Sequence, residues 1–404
     1  MERTAELLSA VGSPHEKLRH VHITGTNGKG SIAALTAASL TAAGYRTGLF
    51  VSPFVYEFGE RIQISGEKIS EADAAAYATR VREAAEGLEY VAFDLLFAMA
   101  ELYFYERGCD AAVIEVGIGG LRDSTNVITP LCSAIGRVDL DHADLLGGTV
   151  AEIAREKAGI IKPGVPAVIY PDQTPEAMKV LLAACSERGS KAIIPDVSSV
   201  SGVDFGGTTR FSYRGEEYSV GMSGTYQILN AITAAETVSA AAAALPGGGE
   251  KDVAAAIKHG ISSAYMPARF EMFSFRGVTV VLDGAHNKNG VAALCDSIRT
   301  RFPNGVCALC GMLRDKDPAA SLAPLRDAPV LSAVTTEVAS PRRETAGGVK
   351  GALPGDLSLR ARAEADIGRA FFGALADAKA KGVPLVVFGS LYLMGDVHRI
   401  LSEK

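Results

Sequence analysis

The sequence predicts an α/β protein of two domains. Three observations carry that expectation: strand-like and helix-like segments alternate from the start, the rhythm restarts after Ser262–Arg269 with its Pro267, and 404 residues exceed what one hydrophobic core usually serves. Residues 1–266 are expected to hold a mostly parallel sheet plus a small antiparallel hairpin region. Residues 267–404 are expected to form a smaller, doubly wound Rossmann-like α/β domain.

In the first domain His20–Thr24 reads as a strand, Gly30–Ala43 as a helix and Arg46–Val51 as a strand, which makes a βαβ unit. Residues Ser52–Gly66 show no helical period and contain Pro53, Gly59 and Gly66, so they read as a long excursion of the kind that often serves function. A helix over Glu71–Glu86 follows, then Phe93–Arg107 with a broad apolar face, then a buried strand at Ala111–Val116. Further strands are expected at Leu131–Ile135 and Pro166–Tyr170. Aromatic and β-branched alternation around Arg214-Gly215 predicts an antiparallel hairpin within Val203–Met222, and Tyr226–Ala244 is an alanine-rich helix. In the second domain the strands are Val278–Leu282, Val306–Gly311, Pro329–Thr335 and Pro384–Phe388. Asn289–Arg301 reads as a helix, and Ala361–Lys381 as mostly helix.

Composition narrows the function. With 48% hydrophobic residues the chain can bury two cores, and a net charge of −6 argues against a nucleic-acid coat. No run approaches the roughly 18 apolar residues of a membrane span. Met1–Ser9 lacks the basic flank and apolar stretch of a signal peptide, so a cytoplasmic, monomeric protein is expected. Cys307 and Cys310 form the only Cys-x-x-Cys, but in a strand they point to opposite faces and no second Cys/His pair completes a zinc site.

The chemistry concentrates at Gly25-Thr26-Asn27-Gly28-Lys29-Gly30-Ser31, between a strand and a helix. Backbone N–H groups and a helix N-terminus surround phosphate oxygens in that setting. Gly30 separates Lys29 from Ser31, so the loop departs from the usual GxxxxGK[ST] pattern. Lys29 is placed to neutralise phosphates and Ser31 to lie near Mg²⁺. Glu115, at the end of a buried strand, is an oxygen donor suited to a hard cation. Lys157, between Arg155, Glu156 and Lys162, reads locally as part of a solvated helix face.

Several strings occur together in one order: His22–Ser31, Ser52-Pro53 with Glu60-Arg61-Ile62, Glu115–Gly120, Asp123–Asn126, Leu140-Asp141-His142, Arg155–Gly164, Asn230-Ala231, Pro267-Ala268-Arg269 and Asp283-Gly284-Ala285-His286-Asn287. In them, and in Gly311-Met312-Leu313 and Gly389–Tyr392, the chain resembles the folylpolyglutamate synthase and dihydrofolate synthase family of the Mur ligase superfamily. The resemblance implies a Mur ligase central domain, a C-terminal ligase domain and ATP bound between them. It implies ATP and Mg²⁺ as cofactors, with Asn27, Gly28, Lys29, Gly30, Ser31, Asn230, Arg269 and Asp283 on the nucleotide. Ser31, Ser52, Glu115, His142 and a carbamylated Lys157 become metal-associated, and Lys29, Lys157 and His286 catalytic.

The implied reaction joins L-glutamate to the carboxylate of a folate or of dihydropteroate through an acyl phosphate. Phe93, Asp94, Arg122, Asp123 and His286 are the substrate candidates. The family's Phe-Glu is Phe93-Asp94 here, and its Gly-Gly-Arg-Leu-Asp is Gly119-Gly120-Leu121-Arg122-Asp123. The chain also begins only shortly ahead of the phosphate loop, where relatives carry a helix and a pterin-contacting loop. These departures favour folate polyglutamylation over dihydropteroate ligation. A Mur-type amide ligase with a different carboxylated acceptor is the alternative.

Overall fold

The computed structural model describes residues 1–249 and 251–403. The chain divides into two compact units. Met1–Val203, Arg210–Gly221 and Ile228–Tyr265 form the first; Asp204–Thr209, Met222–Gln227 and the chain from Met266 onward form the second.

The first unit is built on eight strands: β1 (His20–Thr24), β2 (Thr47–Phe50), β3 (Ile62–Ile64), β4 (Glu67–Lys68), β5 (Ala111–Glu115), β6 (Cys132–Ile135), β7 (Ala167–Ile169) and β8 (Ala192–Ile193). Their order is β4-β3-β2-β5-β1-β6-β7-β8, parallel from β2 to β8, with β3 and β4 antiparallel at one edge. The central strands β1, β2, β5 and β6 are buried at every residue, the consequence of helices covering both faces of a parallel sheet. Phe50, Phe97, Phe104 and Ile114 lead the core on one side. Leaving β1 the chain runs toward β2; leaving β6, on the other flank of β1, it runs toward β7. The loops therefore part at the carboxyl ends of β1 and β6, the position where such sheets receive ligands.

Helix Lys29–Ala42 buries ten of its 14 residues. Its alanines and serine let helix Val253–Ser263 approach so closely that a Cβ on Gly260 would lie 2.3 Å from Ser39 Cα. A side chain at Gly260 would push the phosphate-loop helix off its seat.

Strands β9 (Val200–Asp204), β10 (Thr209–Tyr213) and β11 (Glu216–Val220) form the expected antiparallel region, with one strand more than a hairpin. The second unit carries β12 (Glu271–Phe275), β13 (Val278–Leu282), β14 (Val306–Cys310), β15 (Val330–Thr335), β16 (Ala361–Ala363) and β17 (Leu385–Phe388) in the order β12-β13-β17-β14-β15-β16. Only β12 is antiparallel.

Three expectations are corrected. Ala361–Lys381 begins as strand β16 beside β15, and its helix starts only at Ile367, where the Asp366 carboxylate caps Arg369 N–H. Pairing with a neighbouring strand overrides the helix preference of alanine there. The excursion Ser52–Gly66 contains a 3₁₀ turn, Phe58–Arg61, and β3, organised by Glu60, which accepts from Val55 and Tyr56 N–H at 2.7 and 3.0 Å. A helix over Glu2–Ala10 does precede the phosphate loop. The helices Pro175–Glu187 and Val253–Ser263 had no counterpart in the sequence reading, although the caps Thr174 and Asp252 announce them.

Candidate active site

Beyond Thr24 the glycine loop is pinned to the segment after β6. Thr26 and Asn27 N–H donate to Arg137 O at 2.7 and 3.2 Å, and Asp139 N–H donates to Thr26 Oγ1 at 3.0 Å. Gly28 is left-handed, with φ 86°, and a Cβ there would lie 2.7 Å from Asn230 Oδ1. Asn230, buried on helix Gln227–Ala242, thus closes against the loop from the side. Ser31 is buried in the first turn of the following helix.

Two lysines meet at this loop. Lys29 Nζ donates to Gly25 O at 2.9 Å, and Lys157 Nζ donates to the same oxygen at 2.9 Å. Lys157 is 3% exposed, which corrects the reading of it as part of a solvated face. On helix Val150–Ala158 it follows Ile153 by four residues and Ala154 by three, so it shares their buried face, while Arg155 and Glu156 turn away. Burial pushes its ammonium well below the usual lysine range, and the nearby charge of Lys29 adds to the shift. Burial beside a cation therefore disfavours the charged form of Lys157.

Glu115 ends β5 opposite Ile23 of β1 and is 3% exposed. Its Oε2 accepts from Ser52 N–H, just past β2, at 3.0 Å. Burial lowers the Arg61 guanidinium, and the Glu115 charge opposes that shift, so a cation faces this carboxylate. His142, beyond β6, is left-handed with φ 52° and its side chain is 39% exposed, with Nε2 4.0 Å from Asp141 Oδ1. The donor set of Glu115, Ser31 and Ser52 is hard oxygen, which suits Mg²⁺. That ion commonly takes one or two carboxylates and completes its shell with phosphate oxygens and water. Among the described residues no three His, Cys, Asp or Glu side chains form a ready cage.

The candidates on the acceptor side divide. Asp94 is fully buried and accepts from Arg3, Thr4, Ser124 and Val91 N–H, at 2.5, 3.0, 2.5 and 2.9 Å. Burial would raise its pKa, yet these four donors together hold it below the ordinary carboxylate value. Asp123 accepts from Thr125 N–H and Oγ1 with one oxygen and from Ile118 N–H with the other, fastening the loop after Glu115. Phe93 lies partly buried against Phe50, ring centroids 5.7 Å apart. Arg122 is 82% exposed and 3.3 Å from Glu156.

Sequence reasoning missed His22 and Thr125. Thr125 Oγ1 donates to Asp123, so it must accept from His22 Nε2, 2.8 Å away, and the tautomer is fixed with Nδ1 unprotonated. Burial keeps this imidazole neutral, well below its usual pKa. Its place on the fully buried strand β1, three residues ahead of Gly25, was the available signal.

In the second unit Asp283 ends the course of β13. Its Oδ2 accepts from Tyr226 Oη at 2.8 Å and Phe270 N–H at 3.1 Å, and its Oδ1 accepts from Ala285 N–H at 2.9 Å. Burial raises the Asp283 pKa although these donors oppose the shift. Arg269 lies between Ala268 and Phe270, both left-handed at φ 53° and 54°, a conformation that costs non-glycine residues roughly 1–2 kcal/mol each. His286 Nδ1 is 2.7 Å from Gly284 O, so Nδ1 carries a proton and donates it to that carbonyl.

Residues 23–238 match the Mur ligase middle domain, and residues 268–391 match the glutamate ligase domain of Mur ligases. Folylpolyglutamate synthase of Lacticaseibacillus casei is 35% identical over 415 residues, spanning 99% of this chain and 94% of the relative. The chain belongs to the folylpolyglutamate synthase/dihydrofolate synthase family. The solved structure of Mycobacterium tuberculosis folylpolyglutamate synthase complexed with ADP and AMPPCP aligns with a TM-score of 0.87 at 30% identity, covering 100% of this chain and 95% of that one. E. coli FolC in complex with DHPP and ADP aligns with a TM-score of 0.86 at 27% identity, covering 99% and 92%. As a member of this family the protein is an ATP-dependent ligase with the two-domain Mur ligase fold.

Proposed function

We propose that the protein adds L-glutamate to the carboxylate of a folate, using ATP and Mg²⁺. A carboxylate is a poor acyl donor because oxide would have to leave. Its oxygen therefore attacks the γ-phosphorus of ATP, the bond to the β-phosphate oxygen breaks, and ADP departs. The glutamate amine then attacks the acyl carbon, loses a proton, and phosphate leaves to give the amide. Positioning and charge neutralisation carry the first step.

The convergence of Lys29 and Lys157 on the Gly25 carbonyl, at the start of a helix, is the observation that best supports this reading. Lys29 and the loop amides would hold the β- and γ-phosphates, with Asn230, Arg269 and Asp283 on the rest of the nucleotide. Mg²⁺, held by Ser31, Ser52, Glu115 and His142, would neutralise phosphoryl oxygens. A buried amine whose ammonium form is disfavoured is more nucleophilic toward carbon dioxide, which supports assigning Lys157 as the carbamylated metal ligand. Intact-protein mass spectrometry should find the added mass in the native enzyme and not in Lys157→Arg. His286 Nε2 is assigned to the glutamate substrate.

A second reading, dihydropteroate ligation as an added activity, gains from one observation. The Glu2–Ala10 helix is present and tied through Arg3 and Thr4 to Asp94, so one reason for ranking dihydropteroate behind folate falls away. Incubation with ATP and glutamate, with tetrahydrofolate or dihydropteroate and each omitted in turn, separates the possibilities by product mass. Extension of tetrahydrofolate is expected. ATP hydrolysis indifferent to both pterins and to glutamate would refute the proposed function.

A further inference from the structure

We propose that Tyr226 is a positioning residue for the nucleotide, acting through Asp283 and Arg269; this rests on the assignment of those two residues to the nucleotide. An ionised carboxylate offers about four lone-pair positions. On Asp283 three are engaged, by Tyr226 Oη, Phe270 N–H and Ala285 N–H. The single remaining position lies on Oδ1, the oxygen opposite the one Tyr226 holds, so the tyrosine fixes the rotation that aims it. That position suits one hydroxyl donor.

The same carboxylate governs Arg269. Phe270 N–H donates to it from a left-handed backbone, and Gly284 N–H holds Ala268 O at 2.9 Å on the other side. Arg269 therefore sits in a strained turn whose geometry is set by Asp283. Its Nη1 comes within 2.7 Å of where a Cβ on Gly284 would be, so it lies directly over the loop that follows Asp283.

Tyr226 itself is held rigidly. Its neighbour Thr225 donates its N–H to Ser297 Oγ at 3.0 Å, and the two hydroxyls are 2.9 Å apart, which anchors the segment to helix Lys288–Arg301. A half-buried phenol held in this way gains from a partner for its hydroxyl, and Asp283 is that partner.

Tyr226→Phe keeps the ring and removes only the hydrogen bond. Steady-state kinetics of the full-length enzyme should show the KM for ATP raised about three- to tenfold, with kcat changed much less and the glutamate KM unchanged. In an Asp283→Asn background the same substitution should add nothing, because the effect passes through that carboxylate. An equal rise in ATP KM in both backgrounds, or no rise in either while Asp283→Asn alone raises it, would overturn the role of Tyr226 and leave the Asp283 assignment standing. If Asp283→Asn leaves the ATP KM unchanged, the Asp283 assignment fails and the proposal fails with it. Should Tyr226→Phe fold poorly, fluorescent-nucleotide affinity of Tyr226→His, which retains a donor, decides instead: affinity kept supports positioning by a hydrogen bond, and affinity lost contradicts it.

Discussion

The loop after β1 and the loop after β13 share one plan, strand to short loop to helix at the carboxyl edge of a parallel sheet, yet they carry opposite charge. After β1, backbone donors and two lysines crowd one carbonyl. After β13, a buried carboxylate is held by three donors. The first arrangement is unfavourable in itself and is suited to an arriving polyanion. The second is already satisfied and has one acceptor position to offer. An α/β scaffold thus supplies position, and the side chains at the loop decide the ligand chemistry.

The largest effect should come from Lys29, whose ammonium folds back onto the carbonyl of its own loop. Lys29→Ala should lower kcat by about a hundred- to a thousandfold, the scale seen when a charge-stabilising donor is lost, as measured by coupled ADP release. Near-normal turnover would break the contrast.

Lys157 should separate activity from stability. Lys157→Met should cut activity by about a hundredfold, on the scale of a disturbed metal shell, while raising Tm. In protein without the carbamate, the unfolded lysine keeps its proton up to its ordinary value of 10.5, whereas the folded amine sheds it at lower pH. The unfolded state binds more protons in that window, so stability should rise with pH there and Lys157→Met should flatten the rise. Thermal melts across neutral to alkaline pH check the sign.

Asp94 tests which acids serve structure. Asp94→Ala leaves Thr4 and Ser124 without an acceptor and should cost roughly 1–3 kcal/mol, measured by urea unfolding. Its folded pKa lies below the ordinary aspartate value of 3.8, so the stability it contributes is present above that value and lost as pH falls through the folded pKa. The smallest effect belongs to Arg122→Ala. Its exposed ion pair with Glu156 should contribute about 0–1 kcal/mol. A large rise in folate KM with unchanged Tm would mark it as a substrate residue.

The phosphate loop, Glu115 and the Asp283 loop were legible because glycine spacing and strand ends fix them locally. Lys157 was misread because its charged neighbours outweighed the three- and four-residue spacing to Ala154 and Ile153 that placed it inside. Tyr226 left no local trace, since its partner Asp283 is distant in sequence, and His22 left only its place on a buried strand, its partner Thr125 being equally distant. Strand β16 escaped for a related reason: its alanines gain strand geometry only by pairing with β15.

The acyl-phosphate route is tested most directly by an isotope experiment. With a folate whose carboxylate oxygens carry a heavy isotope, ATP and glutamate, one labelled oxygen should appear in the inorganic phosphate for each amide formed, and none with Lys29→Ala. Product formed with unlabelled phosphate would contradict activation of the carboxylate at the Gly25–Ser31 loop.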